Sequence, residues 1–99
     1  MSQGTIYRAR NGRSLLCRVQ SELGLETALV LYAPVVNRTE VINPIPKLHV
    51  PCILQGEPHL ILMSELLALP ASDIGVTVGA VPEARDDMVA AVDLLVSGF

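Results

Sequence analysis

Residues 84–99 read Ala84-Arg85-Asp86-Asp87-Met88-Val89-Ala90-Ala91-Val92-Asp93-Leu94-Leu95-Val96-Ser97-Gly98-Phe99, the pattern of one helix that stays apolar to its last residue. Helical spacing relates one set of large apolar residues: Met88, Val92, Leu95 and Phe99, with Val89 and Val96 beside them. This stripe predicts a helix face that packs against a sheet. A thin polar strip lies opposite and consists of Asp86, Ala90, Asp93 and Ser97, flanked by Leu94 and Gly98. We interpret the strip as an edge that faces a partner.

Turn signals between strand-like segments predict two hairpins. The hairpins comprise residues 6–10 and 15–20 around Asn11-Gly12, and residues 47–54 and 59–63 around Gln55-Gly56-Glu57-Pro58. Asn-Gly accepts the positive φ angles of a tight turn. In the second strand, alternation separates Leu15, Cys17 and Val19 from Leu16, Arg18 and Gln20. We expect one of these two faces to point inward.

The remaining segments complete an antiparallel domain. In order, they are a strand at residues 27–36, a long connection with room for one short strand at 37–47, a single helical turn at 64–69 and a strand at 74–80. Pro34 implies a strand end, an edge or a bulge within the first of these. Pro82 suits the first position of the final helix. The order predicts one mostly β domain, residues 1–99, with a terminal helix packed on it.

The composition is that of a small globular chain. Of its 99 residues, 51% are hydrophobic, 17% are charged and 3% are aromatic, which excludes disorder and predicts an aliphatic core. Because a core of this size often needs support from pairing, we expect a homodimer. The net charge of −3 argues against general nucleic-acid binding. Four arginines precede the first acidic residue, Glu22. This clustering leaves a local basic surface at the first hairpin as an alternative.

The cysteines and histidines predict no metal or cofactor site. Cys17 and Cys52 lie in apolar strand segments without close ligand spacing, so we expect buried free thiols in a reducing cytoplasm. His49 and His59 lack a fourth zinc ligand, and we expect them to be hydrogen-bonded instead. The amino terminus lacks the pattern of a secretion signal, and the longest apolar run, residues 28–36, is too short to cross a bilayer. We therefore expect a soluble, cytoplasmic protein.

Three segments carry motifs of one family. Leu15-Leu16-Cys17-Arg18-Val19-Gln20-Ser21 is an apolar strand that ends in Val-Gln-Ser, and Leu69-Pro70-Ala71-Ser72-Asp73-Ile74-Gly75 is similar to a Val-Pro, short spacer and Ile-Gly pattern. Residues 87–99 are similar to Asp-Ile, a small-residue helix, Asn-Leu-Met, an aromatic pair and Gly-Ile. In order and spacing, essentially the whole chain resembles the CcdB family of plasmid-type toxins.

This resemblance implies an SH3-like antiparallel barrel of the CcdB/PemK type, closed by the C-terminal helix, and a symmetric homodimer. It also implies a toxin of a type II toxin–antitoxin pair that serves plasmid maintenance and has no enzymatic activity. Such a dimer enters the gate of the DNA gyrase A subunit and holds the enzyme on cleaved DNA. A disordered segment of a CcdA-like antitoxin then displaces it.

The resemblance also assigns target-binding residues, namely Leu23, Gly24, Asp93, Ser97, Gly98 and Phe99. Leu23-Gly24 replaces the Ile-Ile pair of the family, Asp93 replaces an asparagine and Ser97 replaces a tryptophan. Loss of a tryptophan removes a residue type whose truncation typically costs on the order of 2 kcal/mol of binding free energy. The resemblance therefore supports the fold more strongly than it supports gyrase as the target.

Three alternatives remain open. An endoribonuclease toxin on the same barrel would use Arg10, Arg13 and Ser14 near the first hairpin for acid–base chemistry. The few aromatic residues and the negative net charge disfavour that activity. A degenerate, non-toxic homologue would only bind an antitoxin. Phe99 itself would serve only for burial if it lies at the dimer axis.

Overall fold

The computed structural model describes residues 2–98, and seven strands and one α-helix lie within that range. In chain order they are β1 (Thr5–Ala9), β2 (Leu15–Arg18), β3 (Val30–Asn37), β4 (His49–Leu54), β5 (Glu57–Leu62), β6 (Leu67–Leu69), β7 (Ile74–Ala80) and α1 (Arg85–Ser97). Single 3-10 turns occur at Arg38–Glu40, Met63–Glu65, Ala71–Asp73 and Pro82–Ala84. The prediction of a mostly β chain with a C-terminal helix is confirmed.

The strands form one antiparallel sheet. Its order is β4-β5-β3-β2-β1-β7, and β6 pairs with β3 outside this path. Within residues 2–98 no ladder joins β4 to β7, so the expected barrel is not closed by hydrogen bonds. The two end strands still approach each other, because a Cβ added to Gly79 of β7 would lie 2.9 Å from Cδ1 of Leu54 in β4. The architecture is consistent with an SH3-like barrel that stays open at this seam.

Both predicted hairpin turns are present. β1 pairs with β2 so that Tyr7 lies opposite Leu16, and Gly12 in the connecting turn has a φ angle of 95°. Gln55 and Gly56 connect β4 to β5 with φ angles of 52° and 79°. Positive φ angles at both central residues are typical of the type I′ turn, whose twist matches that of the paired strands.

Pro34 lies within β3, and the strand continues through it. One edge of β3 pairs with β2, while the other pairs with β6 through residues 30–32 and with β5 through residues 35–37. The backbone groups of Leu31 face the β2 side, so alternation directs those of Pro34 to the other edge. Pro34 falls there between the two paired segments. Of the three predicted explanations, a locally unpaired edge is the one found, and the missing N–H costs no ladder hydrogen bond.

The second half of the predicted helical turn at residues 64–69 is a strand. Met63–Glu65 form a 3-10 turn, but Leu67–Leu69 form β6 and pair with residues 30–32 of β3. The helix prediction for this half is wrong because the edge of β3 offers hydrogen-bond partners. Such tertiary pairing outweighs a weak local propensity.

The connection at residues 37–47 contains a 3-10 turn where a short strand was considered. Asn37 caps this turn, because its side chain accepts a hydrogen bond from the N–H of Thr39 at 3.0 Å. The carboxylate of Glu40 accepts the N–H of Asn37 in return, at 3.1 Å. This reciprocal capping box satisfies backbone donors that a strand would have paired with a neighbour.

The sheet is covered on both faces. The main core lies between the sheet and α1 and includes Ile6, Cys17, Ala33, Ile61, Met88 and Ala91. A second cluster consists of Tyr7, Leu16, Val30, Tyr32 and Ile74. Neighbouring residues of a strand point to opposite faces, so these two clusters lie on opposite sides of β1 and β2. The expectation that only one face of β2 points inward is therefore wrong.

α1 buries a narrower face than predicted. Met88 and Ala91 are fully buried, and the sulfur of Met88 lies 3.8 Å from that of Cys17. Leu95 shares this face by its spacing but is 46% exposed, so the last helical turn extends beyond the core. Burial was wrongly predicted for two neighbours that are exposed, Val89 and Val96. The polar strip is exposed as predicted.

β7 and β1 lie close together at Gly75. A Cβ added there would lie 2.7 Å from the backbone oxygen of Arg8. We expect Gly75→Ala to lower the free energy of unfolding by about 1–3 kcal/mol, because one strand must shift to accept the methyl group. Urea denaturation followed by circular dichroism measures this change. Thr77→Ala, an exposed position on the same strand, is the control and is expected to stay within about 0.5 kcal/mol of the wild type. Equal effects of the two changes would contradict the close approach.

Both cysteines are buried free thiols, as predicted. Burial raises the pKa of the Cys17 thiol from its usual 9.0 to about 12, because the thiolate would lose its hydration. Burial also raises the pKa of Cys52 to about 11, and the negative charge of Glu83 adds to this effect.

These raised pKa values predict a loss of stability in alkali. The folded protein holds both thiol protons more tightly than the unfolded chain, so the contribution is complete below pH 9.0 and is lost as the pH rises towards about 11 and 12. We expect neither thiol to react with a disulfide reagent at neutral pH until urea unfolds the chain, after which both react. Rapid reaction of the native protein would contradict this burial.

Candidate target-binding surface

The end of α1 carries three of the predicted target-binding residues. Asp93 and Ser97 are exposed, and a spacing of four places them on one helix face. Gly98 ends the helix with a φ angle of 77°, and its N–H donates to the carbonyl oxygen of Leu94 at 2.8 Å. This left-handed residue is a common helix terminator. Phe99, the fourth predicted residue of this region, lies outside the described residues.

Leu23 and Gly24 lie on the β2–β3 loop, which comprises residues 19–29. Leu23 is 63% exposed, and Gly24 has a φ angle of 83° with open space around the position of a Cβ. Leu25 and Leu29 are also exposed on this loop, although the sequence analysis did not single them out. Several large apolar side chains left in water on one loop are typical of a surface that contacts another protein.

The two predicted regions lie on separate elements. Within residues 2–98, no hydrogen bond or ion pair connects Leu23 or Gly24 to the end of α1. One protomer therefore presents two patches, the β2–β3 loop and the helix end. At the helix end, the exposed apolar area comes from Leu95 and from Val96, which is 81% exposed. The helical pattern showed both residues but assigned them to the buried side.

A buried arginine supports the β2–β3 loop, and the sequence analysis did not recognise it as functional. Arg18 is 1% exposed. Its guanidinium donates to the carbonyl oxygens of Gln20 at 2.8 Å and Ser21 at 3.3 Å, and to the carboxylate of Glu26 at 3.3 Å. The sequence signal for this residue was a single charged side chain on one face of an alternating strand. A charge in an alternating strand ordinarily indicates a solvated face, so the pattern pointed away from burial.

A groove lies between α1 and the edge strand β4, along part of the polar strip of the helix. Its volume is about 430 Å³, and its lining comprises Lys47, His49, Val50, Pro51, Asp87, Ala90 and Leu94. Ala90 belongs to the predicted strip and Leu94 flanks it. The edge predicted to face a partner is therefore partly a groove with an apolar floor and charged ends.

A second cavity lies beside the first hairpin and has a volume of about 300 Å³. Its lining includes Arg10, Ser14 and Asp73, whereas Arg13 does not line it. The guanidinium of Arg10 donates to the carbonyl oxygen of Ile74 at 3.2 Å. The structure thus gathers two of the three residues of the RNA-cleaving alternative and adds one carboxylate.

The histidines are hydrogen-bonded, as predicted. Nδ1 of His49 accepts the N–H of Ile45 at 3.0 Å, and its Nε2 lies 3.4 Å from the hydroxyl of Ser64. Nδ1 of His59 lies 3.0 Å from the carbonyl oxygen of Glu57. In the part of the chain that the structure describes, no three His, Cys, Asp or Glu side chains are grouped as a metal site. Nor is any helix there long and apolar enough to cross a membrane.

An open antiparallel sheet backed by a terminal helix is consistent with an SH3-like fold, and apolar patches on a loop and at the helix end are typical of surfaces that contact other proteins. Comparison with protein-family models matches residues 3–98 to the family described as CcdB protein. The chain belongs to the CcdB family, whose members are toxins of toxin–antitoxin systems. Comparison with individual curated proteins found no match. The family expected from the sequence motifs is confirmed.

Proposed function

We propose that this protein is a homodimeric toxin that binds the A subunit of DNA gyrase and traps the enzyme on cleaved DNA. A CcdA-like antitoxin neutralises it in the cytoplasm, and the toxin acts by binding, without enzymatic activity of its own. The observation that carries this proposal is the exposure of apolar side chains at both predicted contact regions of a CcdB family member, led by Leu23 and Val96.

A symmetric dimer gives these patches their combined effect. Full burial of one leucine or valine side chain contributes about 1.5–3 kcal/mol. Each protomer presents one β2–β3 loop and one helix end, so two-fold symmetry presents both patches twice.

Trapping is a shift of population among gyrase conformers. A ligand moves an equilibrium from 1:99 to 99:1 only if it binds the favoured conformer about 10⁴-fold more tightly. Shape and a few anchor side chains supply such a preference, and no acid or base is needed. This requirement matches a surface whose exposed large apolar residues are leucine and valine.

The helix end has altered chemistry relative to the family pattern. Ser97 offers a small hydroxyl where the family has an aromatic anchor, and Asp93 adds a negative charge. The exposed Leu95 and Val96 precede Ser97 in the last turn and provide apolar area on other sides of the helix end. Asp93 then requires a cationic side chain on the target, because an unpaired carboxylate buried at an interface is costly.

A cleavage-complex assay with purified gyrase and supercoiled plasmid tests the proposal. We expect the wild type to accumulate linear DNA, and Leu23→Asp to require roughly tenfold more protein or greater, because it places a charge in a buried contact. Ile42→Asp is the control, since Ile42 is also a large apolar residue, is 90% exposed and lies outside both patches. Equal effects of the two changes, or no linear DNA with the wild type, would remove the gyrase claim.

RNA cleavage is the second candidate, and the cavity beside the first hairpin is the observation that favours it. Because Arg10 lines this cavity and Arg13 does not, Arg10→Ala is the informative variant. RNA that is cut by the wild type and left intact by Arg10→Ala would identify an enzyme.

Expression in a sensitive bacterium tests the third alternative. If cells grow normally with abundant soluble protein, the chain is a non-toxic homologue that binds only an antitoxin.

A further inference from the structure

Arg18 is the one charged side chain that is fully buried in the described part of the chain. It ends β2 and lies opposite Tyr32 of β3, so it shares a face with the second cluster. Its side-chain bonds go to the loop that follows, at Gln20, Ser21 and Glu26. The guanidinium has therefore lost its hydration, and its hydrogen bonds go to one surface loop instead.

Apart from Arg18, the described bonds of the β2–β3 loop to its neighbours lie mainly at its base, where the N–H groups of Val19 and Gln20 donate to the carbonyl oxygen of Leu31. Residues 21–29 are all exposed. At its base, the side chain of Gln20 donates to the hydroxyl of Thr27 at 3.0 Å and accepts the N–H of Leu31 at 3.2 Å. These bonds close the base, and Arg18 adds attachments one residue further along each limb, at Ser21 and Glu26.

The geometry of the arginine explains this connection. The guanidinium is a planar fork, so it binds Gln20 and Ser21 on the outgoing limb and Glu26 on the returning limb at the same time. Leu23 and Gly24 lie between these attachment points. A lysine would supply the charge without the fork. The tip of the loop is therefore held by a residue that is itself buried.

We propose that Arg18, acting through Glu26, is the positioning residue that fixes the β2–β3 loop in the conformation that contacts the target. The inference rests on the proposed function for the identity of the contact surface. Fixing the loop before association lowers the cost of ordering it on binding, which raises affinity without a new contact. Arg18 thus sets affinity although it does not lie on the binding surface.

Solvent exposure of Glu26 makes the pair open to experiment. Glu26 is 59% exposed, so its truncation removes little packing and its carboxylate is accessible to salt. Screening weakens an ion pair of this kind as the ionic strength rises. A loop held without this ion pair would show no such dependence on salt.

The first measurement is hydrogen exchange of the loop, which needs no partner. Amides of residues 19–29 are compared among the wild type, Glu26→Ala, Glu26→Gln and the control Glu83→Ala, which removes an exposed glutamate elsewhere. We expect exchange to be fastest in Glu26→Ala, intermediate in Glu26→Gln, which keeps an oxygen acceptor for Arg18, and unchanged in Glu83→Ala. Exchange in the wild type should approach that of Glu26→Ala at high salt.

The second measurement is the affinity of the same proteins for the purified gyrase A subunit. We expect Glu26→Ala to weaken binding about fivefold at low salt, near the upper limit for a half-exposed pair, with no loss for Glu83→Ala. Unchanged loop exchange in Glu26→Ala, or faster exchange with unchanged affinity, would overturn the positioning role. If the wild type itself does not bind the A subunit, the proposed function fails, while the exchange data still decide whether Arg18 holds the loop.

Discussion

Ala91→Asp is expected to abolish the native fold. Ala91 is fully buried in α1 where the helix meets the sheet, and a carboxylate there would lose its hydration without gaining a partner. Such changes cost more than about 4 kcal/mol, against a total stability on the order of 5–15 kcal/mol for a domain. Urea denaturation followed by circular dichroism, together with the yield of soluble protein, measures the effect.

Ala90→Asp is the matched control for that prediction. Ala90 is the preceding residue of the same helix and is exposed, so the substitution is chemically identical and differs only in its environment. It is expected to cost about 0.5–0.7 kcal/mol, the difference in helix propensity between alanine and aspartate. Comparable losses at the two positions would mean that the helix does not dock by the face that carries Met88 and Ala91.

Tyr7→Ala is expected to lower the free energy of unfolding by about 3–5 kcal/mol, the usual cost of removing a buried aromatic ring. The ring of Tyr7 is buried in the second cluster and packs edge to face against Tyr32, with centroids 6.1 Å apart. Equilibrium unfolding in urea gives the value. Val76→Ala, an exposed position on β7, is expected to stay within about 0.5 kcal/mol of the wild type.

Tyr7→Phe separates the ring from its hydroxyl. The hydroxyl of Tyr7 is buried, and within residues 2–98 it makes no hydrogen bond of full geometry, although the Thr5 side chain partly offsets the rise in its pKa that burial causes. Removing an unpartnered polar group leaves no donor or acceptor unsatisfied, so this variant is expected to be as stable as the wild type or slightly more stable. A large loss in Tyr7→Phe would show that the hydroxyl makes an essential bond.

Local chemistry made the hairpins predictable. Asn11-Gly12 and Gln55-Gly56 accept backbone angles that few other pairs tolerate, so the turns follow from a few neighbouring residues. The family motifs extended this local information to the order of the elements and to the family itself. The residues at 67–69 show the limit, because their pairing with β3 depends on a segment more than thirty residues earlier in the chain.

The candidate site was also predicted only in part. The family resemblance selected Leu23, Gly24 and the helix end, and the structure exposes those that it describes. The helical pattern misjudged Leu95 and Val96, because periodicity defines a face but not where the sheet beneath it ends. The support from Arg18 was also missed, since its partners lie on both limbs of a loop whose path the sequence does not reveal.

The sequence by itself determined the mostly antiparallel composition of the chain, the terminal helix and the family, because turn chemistry, strand alternation and short motifs act over a few residues. Only the tertiary structure decided which helix face is buried, that the sheet stays open between β4 and β7, and that a buried arginine supports the β2–β3 loop. The physical reason is that burial depends on which distant segments meet. Arg18 has a place in the interior only because Glu26 and two loop carbonyls replace the water that its charge would otherwise require.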